Sequence, residues 1–256
     1  MIKNEIKYLP FWETVGRSFK YVLKNKVLLQ AIIPVVGILL FIQIICGMPS
    51  MCAFSSSHCE QPLSFVCTIT LIIAAAGIII NYCRSIICKA EIDYLSKNFW
   101  RRMGWYLLAS MFLAIIISVP TFAAIVLVSF LNLSDLLTSI LSIISLIGVS
   151  ILFAPLFLVF PSIAVEDYTM INWSKLYNMV RGNFNAVFWG QFVIMIPYWI
   201  FFRMFAEIYK IINTDNSIVN LIFVFIILSI GMLDACFKGA YFAHIYQFFK
   251  FYDKKV

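Results

Sequence analysis

Residues 218–243 read IVNLIFVFIILSIGMLDACFKGAYFA, and only Asp234 and Lys238 in that stretch are charged at neutral pH. A helix rises about 1.5 Å per residue, so the run is long enough to cross the roughly 30 Å hydrocarbon layer of a bilayer. Five further runs share its character, at about 27–47, 63–83, 105–131, 136–160 and 186–206. Over the whole chain of 256 residues, 63% are hydrophobic and 12% charged, and the mean hydropathy is +0.97. Those values lie outside the soluble globular range. A barrel strand would alternate polar and apolar positions over about ten residues, whereas these runs stay apolar for about twenty. Helices close their own backbone hydrogen bonds, which lipid demands. The fold class predicted is an all-α integral membrane protein, with six transmembrane helices in one polytopic domain covering 1–256.

The net charge of +7 does not point to nucleic acid, because the basic residues are sorted by side. With six spans, all of them except Arg203 and Lys210 fall before the first span, between spans two and three, between spans four and five, or from the end of span six onward. Short loops rich in Lys and Arg stay cytoplasmic, so both termini are predicted inside. The same charges attract anionic lipid headgroups. The first span follows a charged lead of about 26 residues without a small-residue cleavage site, and reads as a retained anchor.

Three polar stretches precede spans one, three and five. At 9–24, Trp12, Val15, Phe19 and Val22 share a helical stripe, and Glu13, Arg17, Lys20 and Lys24 share another. At 88–102, Ile92, Leu95 and Phe99 oppose Lys89, Asp93, Lys97 and Arg101. At 170–182, Trp173, Leu176, Tyr177 and Val180 recur at helical spacing, while Lys175, Asn178 and Arg181 point elsewhere. Such patterns predict amphipathic helices lying on the cytoplasmic surface. They suggest a threefold repeat of surface helix, span out, short turn and span back. The alternative is that any inward-facing span needs a basic lead-in. The residues predicted to meet a lipid surface or partner are Trp12, Arg17, Lys20, Lys97, Arg101, Trp173, Lys175 and Arg181.

No nucleotide, hydrolase or zinc motif occurs, and the two histidines, His58 and His244, lie at opposite ends of the predicted topology. No catalytic residue, metal or cofactor is predicted. In the first external loop, Cys52 and Cys59 are spaced to close a small disulfide ring if the outer compartment is oxidising; otherwise they are free thiols. Charges inside a span are default functional candidates. Asp234 and Lys238, and Arg203 and Glu207, are each spaced to pair one helical turn apart. Counting from Ile218, Asp234 lies about 24 Å along the span, near its inner end. There the pair either snorkels to the interface or belongs to a transport site. Pro34, Pro120, Pro155 and Pro197 are predicted to kink their spans, and Pro161 to end the fourth.

The stretch FAPLFLVFPSIAVEDYTMINWSKLYNMVRGNFNAVFW at 153–189 resembles the membrane domain fused to some bacterial glycerophosphoryl diester phosphodiesterases, and its stand-alone relatives in bacterial inner membranes. The resemblance is carried by Phe160-Pro161, Glu166, Ser174, Arg181-Gly182-Asn183-Phe184 and Trp189. It departs at DYTMIN, where the family has a glycine and a run of alanine. The phosphodiesterase barrel itself has no counterpart here, so no catalytic residue carries over. The resemblance implies a multi-pass protein of the bacterial inner membrane. From these readings the chain is expected to be a non-enzymatic accessory or scaffold protein, associated with lipid, the envelope or a membrane protein partner. The alternative is a transporter or permease subunit for a small or lipidic solute.

Overall fold

A computed structural model describes residues 8–24, 27–45, 61–130, 135–168, 172–212 and 217–253. Among these residues the regular structure is helical and no strand occurs. The elements are α1 (Phe11–Lys24), α2 (Val27–Ile45), α3 (Gln61–Ile87), α4 (Lys97–Phe130), α5 (Asp135–Leu152), a 3₁₀ turn (Ala154–Leu158), α6 (Val159–Ala164), α7 (Trp173–Val180), α8 (Phe184–Ile212) and α9 (Ser217–Asp253).

Four helices contain segments long and apolar enough to cross a membrane: Ile69–Ile87, Lys97–Ala123, Phe184–Tyr209 and Ile222–Lys250. A fifth span arises if α1 and α2 are counted as one path, although their axes are bent by 73°. The apolar surface agrees with that reading. Phe112, Val119, Trp199 and Phe201 are among many large hydrophobic side chains left exposed, forming faces that water would not tolerate but lipid would.

The core is built around α9, which packs on α3, α8, α1 and α2. Small residues permit the tightest approach. A Cβ placed on Gly239 would lie 2.8 Å from Tyr82 Cβ and 3.1 Å from the Ile79 carbonyl oxygen, so α3 and α9 meet almost backbone to backbone. Gly190 plays the same part for α8: the Tyr241 ring occupies the space where its Cβ would stand, and the hydroxyl donates to Ala186 O at 2.9 Å.

The fourth predicted span, 136–160, is not one helix. α5 stops at Leu152, and the chain passes through Phe153 into the 3₁₀ turn. Pro155 has no N–H to donate to the preceding turn, and its ring crowds the carbonyl there. Pro161, expected to end the span, instead lies in the first turn of α6, where a missing donor costs nothing, and the helix runs on to Ala164.

The surface helix expected at 88–102 is also not formed as such. Residues 88–96 are non-helical, and Lys97–Arg102 are the first turns of α4. Three local bonds explain this. Asp93 Oδ1 accepts from the N–H groups of Leu95 and Ser96, both at 3.0 Å, and Ser96 Oγ accepts from Phe99 N at 3.1 Å, capping α4. Leu95 is left 92% exposed and Phe99 buried, so the expected apolar stripe does not exist.

The first and third stretches do form short helices ahead of longer ones. In α1 the predicted apolar stripe divides: Val15 and Val22 are buried in the protein, whereas Trp12 is 73% exposed. In α7, Asn172 caps the helix by accepting from Lys175 N at 3.3 Å, and Leu176 and Val180 face inward. Gly182 then takes φ 83°, a left-handed turn suited to glycine. Asn183, 3% exposed, opens α8 and accepts from Leu9 N at 2.6 Å, fastening the segment before α1.

Candidate functional site

A groove of about 1230 Å³ lies between α2, α3, the 88–96 segment and the start of α4. Its floor is the apolar side of α3 around Ile73, Ala74 and Gly77, and Val35, Ile38 and Leu39 of α2 form one wall. Phe99 and Met103 of α4 form the other. Gly77 lets α3 and α4 approach closely here: a Cβ there would stand 3.1 Å from Met103 Cε and 3.2 Å from Phe99 Cζ. The volume exceeds the roughly 300–1,000 Å³ of ordinary small-molecule sites.

The rim is polar. Lys89, Glu91 and Asp93 line one end, with Tyr21, Gln30 and Ser85 beside them. This rim is held in place by specific bonds. Tyr94 Oη donates to Ala31 O at 3.0 Å, tying the segment to α2, and Asp93 N donates to Asn81 Oδ1 at 3.2 Å, tying it to α3. Tyr21 and Ser85 share a hydrogen bond of 3.1 Å across α1 and α3. Hydrogen bonds from Ser96 hold the Asp93 carboxyl below the usual carboxylate range, so the rim carries a charged Asp at neutral pH.

Lys89 has φ 54°, although it carries a side chain. It ends α3 in a turn where Ala90 N reaches back to Arg84 O at 3.4 Å and Cys88 N to the same oxygen at 2.8 Å. Glycine usually occupies that position. The second left-handed non-glycine residue, Glu166 with φ 58°, closes α6 in the same way, with Asp167 N bonded to Ser162 O at 2.8 Å. Both strained positions hold charged side chains that touch a cavity or a partner.

Glu166 and Asp167 form a junction between helices. Glu166 Oε1 accepts from Arg101 Nη2 and from Arg102 Nε, each at 2.9 Å. Asp167 Oδ2 accepts from Lys250 Nζ at 2.6 Å and from the Tyr246 hydroxyl. α4 and α9 are thus both fastened to the turn after α6. The hydrogen bond from Arg101, then that from Arg102, holds the Glu166 carboxyl below its ordinary range. Sequence reasoning noticed Glu166 and Asn183 only through a resemblance, and gave no role to Asp167 or Arg102. Their adjacency arises between segments 64 to 174 residues apart, which no local pattern reports.

The predicted candidates are scattered. Asp234 and Lys238 do pair, at 2.6 Å; Asp234 is buried inside the bundle, its Oδ1 lacking a hydrogen-bond partner among the described residues, and Lys238 is partly exposed. Arg203 and Glu207 are exposed on α8. None of the four lines the groove. Arg17 pairs with Glu13, and Arg101 with Glu166, while Lys20, Lys97 and Arg181 are exposed. Trp173 begins α7, though its side chain lies outside the described residues, as do Cys52 and Cys59. Among the described residues no three of His, Cys, Asp and Glu gather as metal ligands. No family model, curated protein or solved structure matches this chain. The functional reading therefore rests on the groove and its surroundings.

Proposed function

We propose that the chain is a non-enzymatic, lipid-associated accessory protein of the bacterial inner membrane, which holds one membrane amphiphile in the groove between α2, α3 and α4. The observation that carries this reading is the groove's build: an apolar floor and walls, ending at a charged rim of Lys89, Glu91 and Asp93. An amphiphile has the same order of chemistry along its length, an apolar chain ending in a polar head. The strained Lys89 supports the reading, since backbone strain persists where a side chain is needed in a particular place.

In this account the six apolar segments cross the membrane and both termini are cytoplasmic. α1 and α7 lie against the inner leaflet, with Trp12 and Tyr177 at headgroup depth. The likeness to the phosphodiesterase membrane domain fits a lipid-associated role without adding chemistry. Solute transport finds less support, because the Asp234–Lys238 pair stands apart from the groove.

Crosslinking tests the proposal. Membranes containing the protein are fed a fatty acid bearing a photoreactive group near its methyl end, illuminated and digested. Adducts concentrated on Ile73, Ala74 and Met103 are expected. Labelling spread evenly over outward residues such as Phe112 and Trp199 would contradict a specific groove.

A further inference from the structure

Tyr21 also borders a second cavity, of about 460 Å³, whose other walls are Arg17, Lys20, Lys24 and His244. Among the described residues no carboxylate lines it. Arg17 is bonded to Glu13 through one amino group, leaving the rest of its guanidinium fork, and Lys20 and Lys24 have no ion-pair partner among the described residues. Positions 17, 20 and 24 fall on one stripe of α1, so the three cations converge over His244 of α9.

A solvated basic stripe is commonplace, but this one is fixed in position. Leu9 is anchored to Asn183, Phe19 packs on Phe237 with ring centroids 4.5 Å apart, and Tyr21 bonds Ser85. Val15, Ser18 and Val22 are buried beneath the helix. With the helix already fixed, only the side chains remain to be ordered when an anion arrives. The adjoining face of α1 exposes Trp12 at 73% and Leu23 at 68%, which suits contact with lipid and sets the pocket at headgroup depth.

We propose that this pocket is a phosphate site, and that in the membrane it takes the phosphate of an anionic glycerophospholipid. Lys20 and Lys24 supply point charges, and the free side of the Arg17 fork supplies paired N–H donors. The inference rests on the lipid-binding reading, and names the headgroup class that goes with it. Tyr21, which lines both cavities and shares a hydrogen bond with Ser85 of the groove, stands at the boundary between the two.

The test is binding of short-chain phosphatidylglycerol, short-chain phosphatidylcholine and inorganic phosphate to the full chain in neutral detergent. Variants are Lys20→Gln with Lys24→Gln, and separately Ala74→Trp in the groove. Each lysine near an anionic surface contributes about fivefold in affinity. The wild type is expected to prefer phosphatidylglycerol by about tenfold or more. The double lysine variant should lose that preference, with its unfolding midpoint unchanged because both lysines are exposed. Ala74→Trp should weaken both lipids alike and keep the preference, separating failure of the groove from failure of the pocket. Displacement of phosphatidylglycerol by millimolar phosphate identifies the bare oxyanion as the recognised group. Resistance to it identifies the whole anionic headgroup of the lipid, rather than a bare oxyanion, as the occupant. Equal affinity for the two lipids, or a preference that survives in the double lysine variant, overturns the proposal.

Discussion

Glu166 holds Arg102 at 2.9 Å from a left-handed backbone conformation, φ 58°. The arginine side chain is only 6% exposed, so this carboxylate is what makes its burial tolerable. Glu166→Gln keeps the shape and removes the charge. It should lower stability by about 2–3 kcal/mol, because a buried cation loses its counter-ion while the partner site stays partly open to solvent. Thermal unfolding in detergent measures this, and an unchanged midpoint would show that the junction is not a stabilising contact.

The same contact predicts a pH dependence. The folded-state pKa of Glu166 is depressed below its ordinary value. Its contribution is therefore fully present above the unfolded pKa of about 4.3, and is lost as the pH falls from there through the lower folded value. Wild-type stability should decline over that acid range, and the decline should be shallower in Glu166→Gln.

Two glycine substitutions are expected to act in opposite directions. Gly239→Ala places a Cβ 3.1 Å from the Ile79 carbonyl oxygen and 2.8 Å from Tyr82 Cβ, so α3 and α9 must separate, at a cost of about 1–3 kcal/mol. Gly16→Ala meets nothing within 4 Å in the middle of α1, and should stabilise by about 0.5–1 kcal/mol. Equal effects at the two sites would refute the backbone contact between α3 and α9.

Lys89→Gly should relieve the left-handed strain at the end of α3 and raise stability by about 1 kcal/mol. If Lys89 is kept for the rim of the groove, the same variant should retain less bound amphiphile. Unfolding and lipid retention measured on one preparation separate the two effects.

These features differ in how far the sequence discloses them. The apolar segments are visible because lipid-exposed helices must be apolar over their whole length, and four helices of the structure are long and apolar enough to cross a membrane. The break at Phe153 was foreshadowed by Pro155, but a proline kinks as often as it breaks, and the outcome depends on what packs around it. At 88–96 the helical period of Ile92, Leu95 and Phe99 misled, since Asp93 and Ser96 carry capping chemistry that outweighs it. Both residues carry the chemistry of a helix start, and α4 begins at Lys97, more than two turns after the expected start at 88. The groove, the Glu166–Asp167 junction and the Asn183 anchor depend on segments brought together from across the chain. The Asp234–Lys238 pair was found by spacing alone, whereas its burial depended on α9 being the central helix.

The central claim is that the groove holds a lipid, and intact-complex mass spectrometry of the gently solubilised protein tests it most directly. Wild type should retain about one phospholipid-sized ligand per chain, and Ala74→Trp, which fills the floor between α2 and α4, should lose it while unfolding at a similar temperature. Retention of the same ligand at the same stoichiometry in Ala74→Trp would contradict the account.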